Sequence, residues 1–393
     1  MQWASSAASG AILGECLAQA AEDVQRQLGG ERPQLLLAFA SAHFMEAYPY
    51  LPDLLRHHLP HDVLAGCSAS GVIGGGHELE NVPSISLTAA VLPGVRLQTR
   101  HVETDALPDA DAAPGVWQSW LGLADPPSAH VVVLSDPFST QMEPLLTGLD
   151  YALPAGAKIG GLASAGRAPG QNALFRSAGA ERSGALLLTL EGDLVVDTVV
   201  AQGCRPIGEP LTITRCERNV MLEVDRQSPL KYLGGLIEQL PESDRELMRT
   251  ALFLGLQMDP LQPDPRPGDF LIRNLVGIDY QRGVLAVGGL LQEGQLVQFH
   301  LRDRTTSNED LQRLLARHTA ARPDTAPAGA LLFSCVGRGK HLYGQADHDS
   351  RLFRQQVGEV PLGGFFCNGE IGPVAGATYA HGYTSAFALV RPR

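Results

Sequence analysis

The sequence predicts an α/β fold, of the mixed α+β kind, in two domains of mixed β-sheets covered by helices, and three observations predict it. A chain of 393 residues exceeds one ordinary core, at roughly 100 to 200 residues per domain. Short apolar runs of strand length alternate with stretches of helical periodicity. A unit of strand, helix, strand, glycine turn and strand recurs along the chain, which argues for duplication. With 44% hydrophobic and 18% charged residues, the composition is that of a globular protein.

Residues 11–28 read as a helix, because Ile12, Leu13, Cys16, Leu17, Ala20, Val24 and Leu28 share one face and Gly29-Gly30 supply a stop. The run 35–40 is a strand. Pro52, Leu54, Leu55 and Leu59 mark a short helix closed before Pro60, and 63–67 is a second strand entering the turn GCSASG. The antiparallel pair SISLTAAVLPGVRLQT follows, with Pro93-Gly94 near its turn. The order returns 95 positions on (161 − 66 = 95), with a strand over 131–134, a helix over 144–153, the turn GLASAG and a hairpin at Glu191-Gly192-Asp193. A third copy has a strand over 331–335, a helix over 350–357, the turn PLGGFFCNG and a last strand over 384–390. Ala65, Gly160 and Gly363 precede the first glycine of each copy, so the backbone packs closely there. The shared context carries the repeat, since the 43 glycines alone give roughly five chance G-x4-G matches.

Between the second and third copies, Ser228-Pro229 open a helix with Leu230, Leu233, Ile237 and Leu240. A second helix spans 244–256, PLQPDPRPG is a loop, and FLIRNLVGI, VLAVGGLL and QLVQFHLRD are strands. Ser307 and Asp310 read as a capping box for a helix ending near His318. The expected division is an N-terminal helix in 1–30, a first domain over 31–215 with two repeat units, and a second over 216–393 with the third.

The net charge of −12 and the absence of a Lys/Arg block argue against nucleic acid. The N-terminus lacks a basic then apolar leader, and no run reaches the roughly 18 apolar residues of a membrane helix, so a cytoplasmic chain without membrane insertion is expected. Six cysteines without a C-x-x-C pair give neither a zinc knuckle nor a dithiol motif. GVIGGG is neither a Walker A loop nor a G-x-G-x-x-G fingerprint.

Cys67, Cys335 and Cys367 sit beside glycines near strand ends, so a thiol nucleophile partnered by His77 or His348 is one reading. Buried small residues explain them more simply, as no nucleophile elbow is present. His57, His58 and His61 flank a helix end, where cations complement the dipole. Two polar clusters stand out. GRGKHLYGQADHDSR gathers Arg338, Lys340, His341, Asp347, His348, Asp349 and Arg351, and CNGE places Asn368 and Glu370 at a strand end of the same copy. Arg holds a carboxylate and Glu an ammonium, a pair suited to an amino acid or similar zwitterion; a solvated loop with a helix cap is the competing reading. His300, Arg302 and Asp303 end a strand, either facing a cleft or forming surface ion pairs.

GCSASGVIGGGHELE resembles the N-terminal signature of the FIST family, with GCS where a GCT-type turn is usual. GDFLIRNLVGID, QLVQFHLRDR, LLFSCVGRGK, HDSRLF and PLGGFFCNGEIGPV with HGYTSAFAL resemble its C-terminal signature, so the resemblance covers nearly the whole chain. It implies a bacterial sensory protein that binds a small ligand, proposed in this family to be an amino acid. Without an F-box, kinase, cyclase or receptor segment, it would signal through a separate protein. Some bacterial relatives are described as haem-dependent nitric oxide sensors acting with a histidine kinase. Haem here would be non-covalent, since no C-x-x-C-H motif exists. On this reading the ligand meets Cys67, Ser68, His77, Arg302, Arg338, His348, Arg351, Asn368 and Glu370, with no catalytic residue and no metal assigned. A Cys-dependent enzyme is the remaining alternative.

Overall fold

The computed structural model describes residues 1–323 and 325–393. Two compact units emerge, one of Met1–Val200, Gln312–Ala380 and Thr384–Arg393, the other of Ala201–Leu311 and His381–Tyr383. The division expected at 216 therefore separates stretches of sequence rather than compact units: the third repeat copy folds with the first two.

The first unit holds three six-stranded sheets built on one plan. Each has a parallel pair at its centre: Leu35–Ser41 with Val63–Ala69, His130–Ser135 with Lys158–Leu162, and Gly329–Cys335 with Leu362–Cys367. The hairpin strands Ser84–Val91, Ala185–Gly192 and Ser385–Pro392 lie antiparallel beside them. Beyond these, strands are exchanged. The second hairpin strand of copy one, Val95–Val102, pairs onto the sheet of copy two, and Leu194–Ala201 of copy two joins that of copy three. The N-terminal strand Gln2–Ser9 completes the cycle on copy one.

Short hairpins pass the other way. The one after the second strand of copy two (Leu174–Arg176, Gly179–Glu181) pairs onto copy one. That of copy three (Glu370–Val374, Ala377–His381) pairs onto copy two, and that of copy one (Gly71–Gly74, His77–Glu80) onto copy three. No copy can bury its own sheet edges, so the three interlock.

The glycine register corrects the sequence reading. Gly66, Gly160 and Gly364 pair with Ala38, Val133 and Leu332, and a Cβ on each would stand 2.0, 1.9 and 1.8 Å from the carbonyl oxygen of that partner. The repeat offset is thus 94 (160 − 66 = 94), with Gly160 rather than Gly161 equivalent to Gly66. These glycines lie within strands, not turns, because two parallel backbones approach too closely for any side chain.

Leu37, Phe39, Cys67, Phe333 and Phe365 belong to the core between the sheets, where the Phe39 and Phe365 rings stack at 4.7 Å. The helix Leu13–Gln27 buries Cys16, Leu17, Ala20, Ala21 and Val24 as its periodicity requires. Each fully buried Leu or Val contributes about 1.5–3 kcal/mol.

The second unit is a closed barrel of Cys204–Glu217, Val220–Val224, Val284–Val287, Phe270–Asp279, Leu252–Gln257 and Leu296–Arg302, in that order around the ring. Ser228 caps the helix Pro229–Gln239 as expected, accepting from the Lys231 amide. The helix expected over 244–256 ends at Ala251, and Leu252 begins a strand, since an apolar run of that length suits a barrel wall equally well. The helix Arg304–Ala321 starts before the expected capping box, with the Asp303 carboxylate accepting from the Thr306 amide at 2.8 Å and Asp310 instead accepting from the Gly203 amide. Along Leu296–Arg302, Val297, Phe299 and Leu301 enter the barrel core, so alternation turns Gln298, His300 and Arg302 to the other face. Among the described residues, no helix is long and apolar enough to cross a membrane.

Candidate functional site

In the third copy, the chain leaves Gly329–Cys335 through one helical turn, Gly339–Tyr343, and enters the helix His348–Val357. Gly339 takes φ +55°, and a Cβ there would lie 2.5 Å from Glu80 Oε1. This path buries Arg338 completely. Its Nε donates to Asp349 Oδ2 at 2.9 Å, and its Nη2 to Asp349 Oδ1 at 3.2 Å and to the Tyr343 hydroxyl at 2.6 Å. His348 Nδ1 stands 2.9 Å from Asp349 Oδ1, and its ring stacks on Tyr343. The hydroxyls of Ser385 and Ser334 donate to Asp349 Oδ2. Burial would raise the Asp349 pKa, but the Arg338 guanidinium and the hydrogen bonds from His348, Arg338 and Ser385 hold it below the usual carboxylate range.

The exchanged hairpin of copy one brings three more groups to this network. Asp347 accepts from the Glu78 amide at 2.6 Å and lies 3.4 Å from His77 Nδ1. Glu80 accepts from the Lys340 amide, and Glu78 Oε1 from the Ser350 amide at 2.7 Å. Burial, and next the Asp349 charge, push Glu78 up to about 8, so it is protonated at neutral pH. Its carboxyl and the Ser350 hydroxyl are buried side by side. Beside them lies a cavity of about 260 Å³ whose wall includes Gly75, Gly76, Ser350, Phe353, Arg354 and Glu359.

Of the residues expected from sequence, His77, Arg338 and His348 come together here. Arg351 instead bonds the Ala346 carbonyl and the Gln345 side chain. Glu370 is buried and accepts from the Thr384 amide at 3.0 Å. The Asn368 amide donates to the Leu162 carbonyl, and the Ser68 hydroxyl accepts from the Ala173 amide, so both serve the meeting of strand ends. Burial pushes the Cys67 and Cys367 thiols up, opposite to what a thiolate nucleophile needs. Glu78 and Ser350 were not singled out from sequence. The alternation His77-Glu78-Leu79-Glu80 in a short strand is the available signal for the first.

Arg302 belongs to the second unit. It is only 7% exposed, its guanidinium lies 5.0 Å from the centre of the Tyr383 ring, and among the described residues its Nε and Nη2 are buried without hydrogen-bond partners. Tyr383, at φ +67°, packs its ring at a tilt against Phe253 and donates to Asn274. Two residues before Arg302, His300 Nδ1 meets the Gln298 carbonyl at 3.0 Å, which obliges Nδ1 to carry the proton. Burial lowers the His300 pKa to about 4, leaving a neutral ring with its lone pair on Nε2.

Comparison with known proteins bears on the whole chain. The uncharacterized protein Rv0628c of Mycobacterium tuberculosis is 34% identical over 374 residues, covering 95% of each chain. The uncharacterized protein Mb0898c of Mycobacterium bovis is 34% identical over 373 residues, covering 94% of each. A solved cyanuric acid hydrolase aligns over 100% of both chains at 11% identity and a TM-score of 0.31, too remote to carry an argument. The family model of the FIST N domain matches residues 34–227 and that of the FIST C domain residues 230–373. Matched along nearly its full length by both models, the chain belongs to the FIST family, whose domains are sensory domains of signal-transduction proteins.

Proposed function

We propose that the chain is a sensor whose small ligand, of the amino-acid class, occupies the cavity beside Ser350, and whose state is read by a separate signalling protein such as a histidine kinase. The observation that carries this reading is the cavity of about 260 Å³ that Ser350, Arg354 and Glu359 line. Arg354 and Glu359, 3.8 Å apart on the same wall, offer opposite charges to the two ends of a zwitterion.

Ser350 also supplies the route from ligand to fold. Its amide is held by Glu78, and it follows Asp349 directly, so a shift at Ser350 is felt by the Arg338 network. The ligand changes the state of the protein only through different affinities for two arrangements. Titration calorimetry with the standard amino acids tests this: at least one binds, and Arg354→Ala or Ser350→Ala weakens it about tenfold. Absence of binding across the set contradicts the reading.

A haem-based nitric oxide sensor is the second reading, favoured by His300. With Nδ1 committed and the ring neutral, His300 would hold the iron through Nε2, and haem would supply the gas-binding chemistry. Haem titration should give a Soret band that His300→Ala removes. No Soret band after reconstitution contradicts it.

A further inference from the structure

The two buried arginines use the same edge of the guanidinium differently. In Arg338, the adjacent Nε and Nη2 donate to the two oxygens of one carboxylate, that of Asp349. In Arg302, the same two nitrogens are buried and, among the described residues, have no hydrogen-bond partner. We infer that Arg302 is the receptor for a small organic carboxylate, at a site of the barrel unit that stands independently of the Ser350 cavity.

The charges of the barrel unit around it are engaged elsewhere. A guanidinium keeps its charge at every accessible pH, so it cannot escape an unpaired burial by deprotonation. Asp303, next in sequence, is committed to Arg205 at 3.1 Å and to the Thr306 amide and hydroxyl, while Asp244 is committed to Arg205 at 2.6 Å. The neutral His300 ring supplies no negative charge. A buried edge with two parallel donors is complemented by a planar group with two oxygens and one negative charge.

The same surroundings select among anions. Cys204, Phe253, Phe270 and Ile272 form an apolar cluster with Tyr383 packed against it, and the Tyr383 ring lies on the guanidinium. A carboxylate with an apolar body fits this chemistry. A phosphate would bring a further charge and further oxygens against this apolar wall. The ammonium of an amino acid would meet a cation and an apolar wall, which separates this ligand class from that of the cavity.

The experiment is a thermal-shift and calorimetric panel on the full chain with acetate, lactate, benzoate and 3-phenylpropionate, with inorganic phosphate and glycine as controls. At least one carboxylate should bind saturably to the wild type and raise its Tm with concentration. Arg302→Met should abolish that response. Arg302→Lys, which keeps the charge but loses the paired donors, should weaken binding about tenfold or more. Circular dichroism of both variants establishes that they are folded. The inference is overturned if no carboxylate binds the wild type, if folded Arg302→Met binds as tightly, or if phosphate binds as well as the carboxylates. The amino-acid titration of the cavity reads other residues, so either result can fail without the other.

Discussion

Arg338 in the repeat unit and Arg302 in the barrel unit are both buried, yet one is saturated and the other is not. Arg338 sits on Asp349 and Tyr343, with Ser385, Ser334 and His348 holding the carboxylate in place. Arg302 has an aromatic ring on its face and, among the described residues, no hydrogen-bond partner at its Nε and Nη2. Burial alone therefore does not identify a functional charge. A completed network orders a fold, whereas the open donor edge of Arg302 is the one we propose for a ligand.

The comparison can be broken at several strengths. Asp349→Asn should be most damaging, because it leaves the Arg338 cation buried and poorly paired; a loss of about 3–5 kcal/mol is expected in urea unfolding. The double change Arg338→Met with Asp349→Leu should recover much of it, since the uncompensated charge disappears. Ser385→Ala removes one hydrogen bond to that carboxylate and should lose about 1.5–3 kcal/mol.

Glu78→Gln gives a smaller, pH-dependent effect. The folded Glu78 pKa of about 8 stands above its ordinary 4.5, so between these values the native state holds a proton that the unfolded chain releases. The stabilisation is complete below the lower value and lost as pH rises through the higher. Wild-type Tm should therefore fall relative to the Gln variant from roughly pH 5 to 8. Parallel Tm profiles for the two proteins would contradict the assignment.

What the sequence discloses and what it hides follow from the same physics. The repeat is legible because each copy must place a strand, a helix and a second strand around a glycine that no side chain can replace. Its register slips by one in copy two, because Gly160 and Gly161 stand together and either satisfies the spacing. Only the pairing of Gly160 with Val133 decides. The strand Gln2–Ser9 escapes notice, since its Ser/Ala run lacks the contrast of apolar and polar residues that marks a half-buried strand.

The cluster around Arg338 is legible because its charged residues are crowded into one loop. Glu78 is not, as it lies 272 positions from Ser350 in the chain and arrives by strand exchange between copies. The contrast between Arg338 and Arg302 is equally hidden. Arg338 reads as part of a charged loop and Arg302 as part of a strand end, and neither setting tells which nitrogens are paired.

The most direct measurement compares the unfolding free energies of Arg338→Met and Arg302→Met with that of the wild type, without added ligand. The account predicts that Arg338→Met loses about 3–5 kcal/mol by stranding the Asp349 carboxylate, while Arg302→Met is neutral or more stable because it removes an unpaired cation. Equal losses in the two variants would contradict it, since Arg302 would then be held by partners as Arg338 is.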